Sequence, residues 1–182
     1  MAYDVPQLLK MTQAQLDELF TKSAPGKIPD GEAQGTAIIA AGSTFTPDIA
    51  SFVNHFAWQG KIFDAKKGLL KNKILAFGLH AIIAKVYKGP SWLDGKECIV
   101  LDYSDTSFVA HWIRDEIRQI GPGLYLGKVY WDKKRLFDFA IRLTIKRPQD
   151  APAAASAAAA NAIPAAASVP ASAATVAVVK KT

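Results

Sequence analysis

Hydrophobic and polar side chains alternate most regularly near residue 140, in the segment "RLFDFAIRLTI" (135–145). The apolar side chains at every second position are those of Phe137, Phe139, Ile141, Leu143 and Ile145. Polar side chains such as Asp138 and Arg142 fall between them. A period of two residues places the two sets on opposite faces of a β-strand. The segment therefore predicts a strand with one apolar face turned to a core.

Other strand-length runs are rich in β-branched and aromatic residues and are separated by turn signals. They cover residues 58–64, 80–87, 96–103, 114–120 and 124–131. The "GPG" at 121–123 and the "DKK" at 132–134 join the last three strands tightly. Short strands with tight turns favour an antiparallel meander, and closure into a barrel removes its edges. We expect a mainly β fold with short N-terminal helices and a small calycin- or lipocalin-like barrel.

Two short stretches have helical patterns instead. In the first, Thr12 and Gln15 have the spacing of a capping box, and Leu16, Leu19 and Phe20 follow on one face. In the second, at 46–58, Thr46 precedes a proline at the first helical position and four apolar residues share a face. We expect both helices to plug or flank the mouth of the barrel.

Composition changes abruptly at residue 151. Residues 151–182 contain 16 alanines, three prolines and no acidic residue, so they offer little apolar surface to bury. We divide the chain into a β-rich barrel-like domain, 1–150, and a disordered Ala/Pro-rich tail, 151–182. Cys98 is the single cysteine, and no signal-peptide or transmembrane pattern is visible. We therefore expect a cytoplasmic protein without a transmembrane segment, and a homodimer is compatible with these features.

The net charge of +6 does not indicate a particular partner, because the lysines are scattered along the chain. We expect these lysines to be solvated on turns and strand edges, and we expect no nucleic-acid partner. The three histidines lack metal-ligand spacing, so no metal site is predicted. The chain has no dinucleotide fingerprint or phosphate loop, so no cofactor is expected.

The charged stretch "RDEIR" (114–118) offers candidate chemistry. As a strand, Arg114, Glu116 and Arg118 share one face and Asp115 lies on the other. One interpretation is an exposed ladder of weak ion pairs, which we favour. A second turns this face into the barrel, where two arginines could hold a carboxylate or phosphate group. A third makes Asp115 or Glu116 a general base that works without a cofactor.

Further candidates come from the aromatic residues of the β-rich part. The side chains that could line a cavity are those of Trp58, Tyr103, His111, Arg114, Tyr125 and Trp131. Asp102 ends a buried strand, where a carboxylate could have a raised pKa and act as a base. The alternative for Asp102 is that it caps the following "SDTS" turn.

The segment "AWQGKIFD" at 57–64 resembles the Gly-Lys-Phe box of the GXWXG-type bacterial proteins. The order of features is also similar: the helix "LDELF", then the Gly-bounded strand "GEAQG", then this box and the segment 99–127. The resemblance implies a β-rich, barrel-like domain and small hydrophobic ligands. It transfers no catalytic residues to this chain.

Three functions follow from these observations. The first is binding of a hydrophobic small molecule with an anionic end, such as a fatty acid, lipid or isoprenoid, inside the barrel. The second is a cofactor-independent isomerase, cyclase or lyase that acts on such a molecule. The third is an interaction protein that uses its C-terminal tail.

Overall fold

The computed structural model describes residues 3–40, 61–72, 82–106 and 110–144, and these form one closed barrel. Two helices precede it, α1 (Val5–Leu8) and α2 (Gln13–Lys22). The strands are β1 (Gly31–Ile38), β2 (Lys61–Asp64), β3 (Leu69–Asn72), β4 (Ile83–Pro90), β5 (Glu97–Asp102), β6 (Ile113–Gly121), β7 (Leu124–Trp131) and β8 (Lys134–Leu143). Each strand pairs antiparallel with the next, and β1 pairs antiparallel with β8. The predicted antiparallel meander that closes into a small barrel is confirmed.

The interior of the barrel holds the alternating apolar residues that the sequence indicated. On β8, Phe137, Phe139 and Ile141 are buried in the interior cluster, and Leu143 packs against it. Ile145 lies outside the described residues. β7 contributes Gly127, which pairs with Phe139. A Cβ atom at Gly127 would lie 2.3 Å from Cζ of the Phe139 ring, so this ring requires a residue without a side chain opposite it.

Helix α2 forms where the capping box predicted it. The hydroxyl of Thr12 accepts a hydrogen bond from the Gln15 amide, and the Gln15 side chain accepts one from the Thr12 amide. Leu16 and Phe20 are buried in a second apolar cluster, which includes Val100 of β5 and other residues that point outward from the barrel. The expectation that this helix lies at the mouth was wrong. It covers the outer wall because the apolar residues there need shielding from water.

Several differences from the sequence pattern are local. Helix α1 was not predicted, because four residues are too few to show a helical period. Strand β3 was missed as well, and β4 runs on to Pro90. The β7–β8 turn has Asp132 at φ 43° and Lys133 at φ 64°, a left-handed pair that suits a two-residue hairpin. The predicted helix at 46–58 lies outside the described residues.

The ends of the barrel are defined by the direction of its strands. At one end, here called the upper end, the even-numbered strands begin and the odd-numbered strands finish. Lys61, Asn72, Ile113 and Trp131 are strand-terminal residues at this end. The β2–β3 and β6–β7 turns lie at the opposite, lower end.

Candidate functional site

Four polar side chains meet inside the barrel near its upper end, and they come from three separate parts of the sheet. Lys61 begins β2, and its cross-strand partner Asn72 ends β3. Tyr103 follows β5, and Asp115 is the third residue of β6. The Lys61 Nζ atom lies 2.8 Å from Asn72 Oδ1, 3.1 Å from the Tyr103 hydroxyl and 3.5 Å from Asp115 Oδ2. We call these four residues the interior polar cluster.

Further hydrogen bonds connect the members of the interior polar cluster. The Tyr103 hydroxyl lies 3.3 Å from Asp115 Oδ2 and donates to it. The Asn72 amide donates to the Tyr103 oxygen at 3.2 Å and to the Ile82 carbonyl at 3.2 Å. The side chains of Lys61 and Asp115 are only 2% and 3% exposed. The alternation of β6 explains why a carboxylate is here, because Asp115 shares the inward face with Ile113 and Ile117.

Burial shifts the pKa values of all three titratable groups in the cluster toward their neutral forms. Loss of water lowers the pKa of Lys61 below its usual value, although the charge of Asp115 opposes this. Loss of water raises the pKa of Asp115, against the stabilising effects of Lys61 and Tyr103. Burial also raises the pKa of Tyr103 well above its usual value. The cluster can therefore donate hydrogen bonds to an oxygen atom, and it can store a proton on Asp115.

The surroundings of the interior polar cluster are apolar. Lys61 Nζ lies 5.9 Å from the centre of the Phe139 ring and 5.8 Å from that of Tyr103. The rest of the interior is apolar along the barrel, with side chains that include Phe63, Leu70, Ile99, Leu101, Ile117, Val129 and Phe137. A few converging polar groups at one end of an apolar interior are typical of small-molecule sites.

Of the predicted site residues within the described ranges, Tyr103 and Asp115 come together in the interior polar cluster. Tyr125 is also inside the barrel, but its hydroxyl donates to the Lys27 carbonyl at 2.8 Å and lies toward the lower end. Trp131 is at the upper end and is partly exposed, and His111 stacks on Trp112 beside it. Trp58 lies outside the described residues.

The charged face of β6 matches neither the exposed ladder that we favoured nor the alternative in which this face lines the interior. Arg114 and Glu116 point outward, so they do not line the interior, yet Glu116 is fully buried rather than exposed. Glu116 accepts hydrogen bonds from Arg114 Nε at 3.0 Å, the Ser91 hydroxyl at 2.6 Å and the Trp92 amide at 2.8 Å. The β4–β5 connection folds over this face and excludes water. A catalytic role for Glu116 in the interior is therefore excluded by its position.

Arg118 on the same face is fully buried, as Glu116 is. Its guanidinium binds Asp94 through two nitrogens, each 2.7 Å from a carboxylate oxygen. It also donates to the Phe20 carbonyl at 2.9 Å, and its Cζ atom lies 4.5 Å from the Phe20 ring centre. Arg118 therefore has a structural role, because it joins β6 to α2 through Phe20 and to the β4–β5 connection through Asp94.

Asp102 caps a turn and is not a buried base. Its Oδ1 atom accepts from the Ser104 amide at 2.9 Å, and its Oδ2 atom accepts from the Tyr87 hydroxyl at 2.9 Å. Partial burial raises the pKa of Asp102, but these hydrogen bonds and the charge of Arg114 outweigh it, so the net pKa is lowered. The prediction of a raised pKa was wrong, because the carboxylate lies on the outer face.

Two lysines contradict the expectation that all lysines are solvated. Lys61 is in the interior, and Lys128 is fully buried on the outer wall between Asp138 at 3.0 Å and Asp17 of α2 at 2.6 Å. Sequence reasoning missed Lys61 as a site residue. The local pattern contains no signal for it, because Lys61 shares one face of the predicted strand with Gln59 and Phe63 while Trp58 and Ile62 lie on the other face, so the alternation does not indicate which face is inward.

Tyr130 has a buried hydroxyl without a hydrogen-bond partner, in the part of the chain that the structure describes. Its ring packs edge-on against Trp92 with 5.3 Å between centres. Burial raises the pKa of Tyr130, and the nearby charge of Glu116 acts in the same direction. Burial likewise raises the pKa of the Cys98 thiol, to about 12.

Within the described ranges, no three His, Cys, Asp or Glu side chains are grouped so that they could hold a metal ion. The helices of those ranges include none with the length and apolar character needed to cross a membrane.

Comparisons with known proteins support the fold alone. No family model matches the chain, and no curated protein matches it significantly. A crystal structure of a protein from Thermomonospora curvata is similar to it, with a TM-score of 0.53 and 17% sequence identity. The match covers 73% of this chain and 88% of that one. At this identity the likeness shows a shared fold and carries no information about ligand or activity.

Proposed function

We propose that the barrel binds a hydrophobic small molecule with an anionic end, such as a fatty acid or an isoprenoid-like acid. The observation that carries this proposal is the placement of Lys61, Tyr103, Asn72 and Asp115 at one end of an apolar interior. An eight-stranded barrel has an interior that can be filled by side chains or can hold one small ligand. The apolar part of the ligand would extend along the interior toward the lower end.

From the sequence, Arg114 was a candidate to bind the anionic end of the ligand. In this proposal Lys61 binds that end instead. Lys61 and Tyr103 both present donors toward the same region, and a carboxylate could accept from both. Asp115 would repel an anion while it is ionised. Its raised pKa lessens this conflict, because a proton taken up by Asp115 removes the negative charge that would repel the anion. Binding of an anionic ligand is therefore expected to strengthen as the pH falls toward the pKa of Asp115.

The resemblance of residues 57–64 to the GXWXG-type box belongs to the same proposal. It agrees with a barrel that takes small hydrophobic ligands, and it stays a proposal because no family model matches the chain.

The test compares two buried lysines in a binding titration with a dansyl-labelled fatty acid. Lys61→Met removes the interior cation, whereas Lys128→Met removes an equally buried cation from the outer wall. Loss of one charge-assisted hydrogen bond predicts at least about tenfold weaker binding for Lys61→Met. The Lys128→Met variant should bind within about twofold of wild type, since its lysine does not face the interior. Competition with the matched fatty alcohol should show a smaller effect of Lys61→Met than competition with the acid.

Native mass spectrometry of the purified full chain provides an independent measurement of co-purified ligand. The proposal fails if wild type binds neither the probe nor any co-purified molecule. It also fails if the two lysine variants weaken binding equally.

A second candidate function is favoured by one observation, the raised pKa of Asp115 beside the Tyr103 hydroxyl. A buried carboxylate of this kind suits general acid–base chemistry without a cofactor, such as the isomerisation of a double bond. Ionised Asp115 would take a proton from the carbon next to the carbonyl (Cα) and return it to the γ-carbon, as the double bond moves from the β,γ to the α,β position. Lys61 or Tyr103 would donate a hydrogen bond to the carbonyl oxygen.

This candidate is tested with a long-chain β,γ-unsaturated ketone in D₂O, followed by NMR. Migration of the double bond is expected for wild type and for Glu116→Gln, because Glu116 lies outside the barrel; deuterium enters the product to the extent that Asp115 exchanges its proton with the solvent. Asp115→Asn should abolish the migration. The absence of double-bond migration with wild type would reject the enzymatic candidate and leave the binding proposal intact.

A further inference from the structure

Two partly exposed tryptophans stack on each other at the upper end of the barrel. Trp112 is 51% exposed and Trp131 is 39% exposed. Their ring centres are 5.8 Å apart and the planes differ by 23°. His111 also contacts Trp112, with 3.5 Å between ring centres and 40° between the ring planes. Two adjacent indoles with this exposure form an apolar surface patch, and such patches mark contact surfaces more often than single exposed side chains do.

Basic side chains lie next to this pair. The turn that follows Trp131 contains exposed Asp132 and Lys133, and exposed Lys134 begins β8 as the cross-strand partner of Trp131. The Asp132 amide donates to the Trp112 carbonyl at 3.1 Å, so the turn and the Trp112 segment are tied together. We call Trp112, Trp131, Lys133 and Lys134 the tryptophan patch. Its two lysines outnumber the single carboxylate of the turn.

We propose that the tryptophan patch docks the upper end of the barrel onto the surface of a lipid bilayer that contains anionic lipids. Tryptophan rings are amphipathic and prefer the headgroup region of a membrane, where the ring is apolar and the indole N–H stays hydrated. Lysines beside them are attracted to negatively charged headgroups. The patch combines both features where the β7–β8 turn meets the segment before β6.

The size of the patch favours a bilayer over a second protein. The exposed fractions of the two indoles correspond to roughly 200 Å² of surface, on the scale of about 250 Å² for a whole tryptophan. A stable protein interface takes about 800 Å² from each partner, roughly four times as much. A bilayer has no such requirement, because a few inserted rings and adjacent positive charges can hold a protein at its surface.

This docking goes beyond the proposed function and can be tested without any ligand. It would place the interior polar cluster next to the membrane, because Lys61 and Asn72 are strand-terminal residues at the same end.

The experiment is flotation of the full chain with phosphatidylcholine vesicles, with and without phosphatidylglycerol. Wild type should float with the anionic vesicles and bind them more strongly than the neutral ones. Lys133→Glu/Lys134→Glu should weaken this binding at least about tenfold, since each lysine near the surface is worth about fivefold in affinity. The matched control is Lys66→Glu/Lys67→Glu, which changes the charge equally in the exposed β2–β3 turn at the lower end. It should bind within about twofold to threefold of wild type.

The aromatic part of the patch is tested with Trp112→Ala/Trp131→Ala. Its control is Trp92→Ala, which removes a tryptophan of similar exposure, 43%, from the side wall. Only the double variant should lose binding, while thermal unfolding confirms that each variant folds. Brominated phosphatidylcholine should quench tryptophan emission of wild type and of Trp92→Phe when vesicles bind, which provides a measurement on folded, patch-intact protein.

Three results would overturn the proposal. The first is absence of wild-type binding to either vesicle. The second is equal loss of binding in the patch variants and their controls, which would assign the effect to overall charge or to another part of the chain. The third is a wild-type dimer in solution that the Trp112→Ala/Trp131→Ala variant converts to monomer while vesicle binding persists, because the patch would then contact a second copy.

Discussion

Replacing Lys61 by methionine tests whether Lys61 and Asp115 form a buried ion pair within the interior polar cluster. Methionine keeps an unbranched side chain, so packing against the interior changes little. The substitution removes the cation that lies 3.5 Å from Asp115 Oδ2. Asp115 would keep the Tyr103 hydroxyl as a donor at 3.3 Å, but it would lose the cation that the described residues place beside its charge.

The expected loss follows from the chemistry of a buried carboxylate. Breaking one side of a buried pair costs about 3–5 kcal/mol. Asp115 can instead take up a proton and become neutral. At pH 7 this protonation costs about 4 kcal/mol, because pH 7 lies about three units above the unfolded pKa of about 3.9 and each unit corresponds to about 1.4 kcal/mol. We therefore expect Lys61→Met to lose about 3–4 kcal/mol of unfolding free energy at pH 7.

The loss should depend on pH in a defined direction. In wild type the folded pKa of Asp115 is already raised, and without Lys61 it should rise further. A raised folded pKa favours the protonated native state, so stability is fully present below about pH 4 and decreases as the pH rises toward the folded pKa. The difference between wild type and Lys61→Met should therefore be largest at pH 7 and small near pH 4.

Urea unfolding of wild type, Lys61→Met, Asp115→Asn and the double variant at pH 4.5 and pH 7 measures these differences. Asparagine keeps the shape of the aspartate and cannot ionise, so the double variant should recover at least about 2 kcal/mol relative to Lys61→Met at pH 7. A Lys61→Met loss that is the same at both pH values within about 1 kcal/mol would refute the reasoning. A double variant as unstable as Lys61→Met at pH 7 would refute it as well.

The remaining predictions concern stability, measured by urea or thermal unfolding. Arg114→Ala should lower the free energy of unfolding by about 2 kcal/mol. The loss should exceed that of an exposed ion pair because Glu116 is fully buried, and it should stay below that of a fully broken buried pair because the Ser91 hydroxyl and the Trp92 amide still donate to Glu116. A loss under about 0.5 kcal/mol would contradict this. Gly127→Ala should cost about 1–3 kcal/mol, since the new methyl group would overlap the facing phenyl ring, and an unchanged midpoint would show that the ring can move aside. Tyr130→Phe should be neutral or stabilising by about 1 kcal/mol, because its buried hydroxyl has no hydrogen-bond partner among the described residues. Tyr103→Phe should lose about 1–3 kcal/mol, because its hydroxyl forms hydrogen bonds with three groups, and the reverse order would contradict both assignments.

The sequence determined the features that depend on local chemistry. The alternation in 135–145 identified β8 and its inward face, because the side-chain period of a strand is fixed by its backbone. The capping box at Thr12 identified α2, and the turn residues at 121–123 and 132–134 identified two hairpins. These strands and turns were enough to predict a closed antiparallel barrel.

Only the tertiary structure decided how the two faces of β6 are used. Both faces carry charged residues, and both are buried, because the barrel wall covers Asp115 while α2 and the β4–β5 connection cover Glu116 and Arg118. A period of two assigns residues to opposite faces but does not say which face meets water. The exposed ladder was therefore a reasonable expectation that the packing of α2 overturned.

The interior polar cluster also depends on the tertiary structure, because it forms only when the sheet closes into a barrel. Lys61 and Asp115 are 54 residues apart and lie on β2 and β6, which are not neighbours in the sheet. Each one alone looks like an ordinary surface charge on a short strand. They meet because pairing of β1 with β8 curls the sheet and turns their common face inward, and that pairing depends on the sum of many long-range contacts rather than on any local signal.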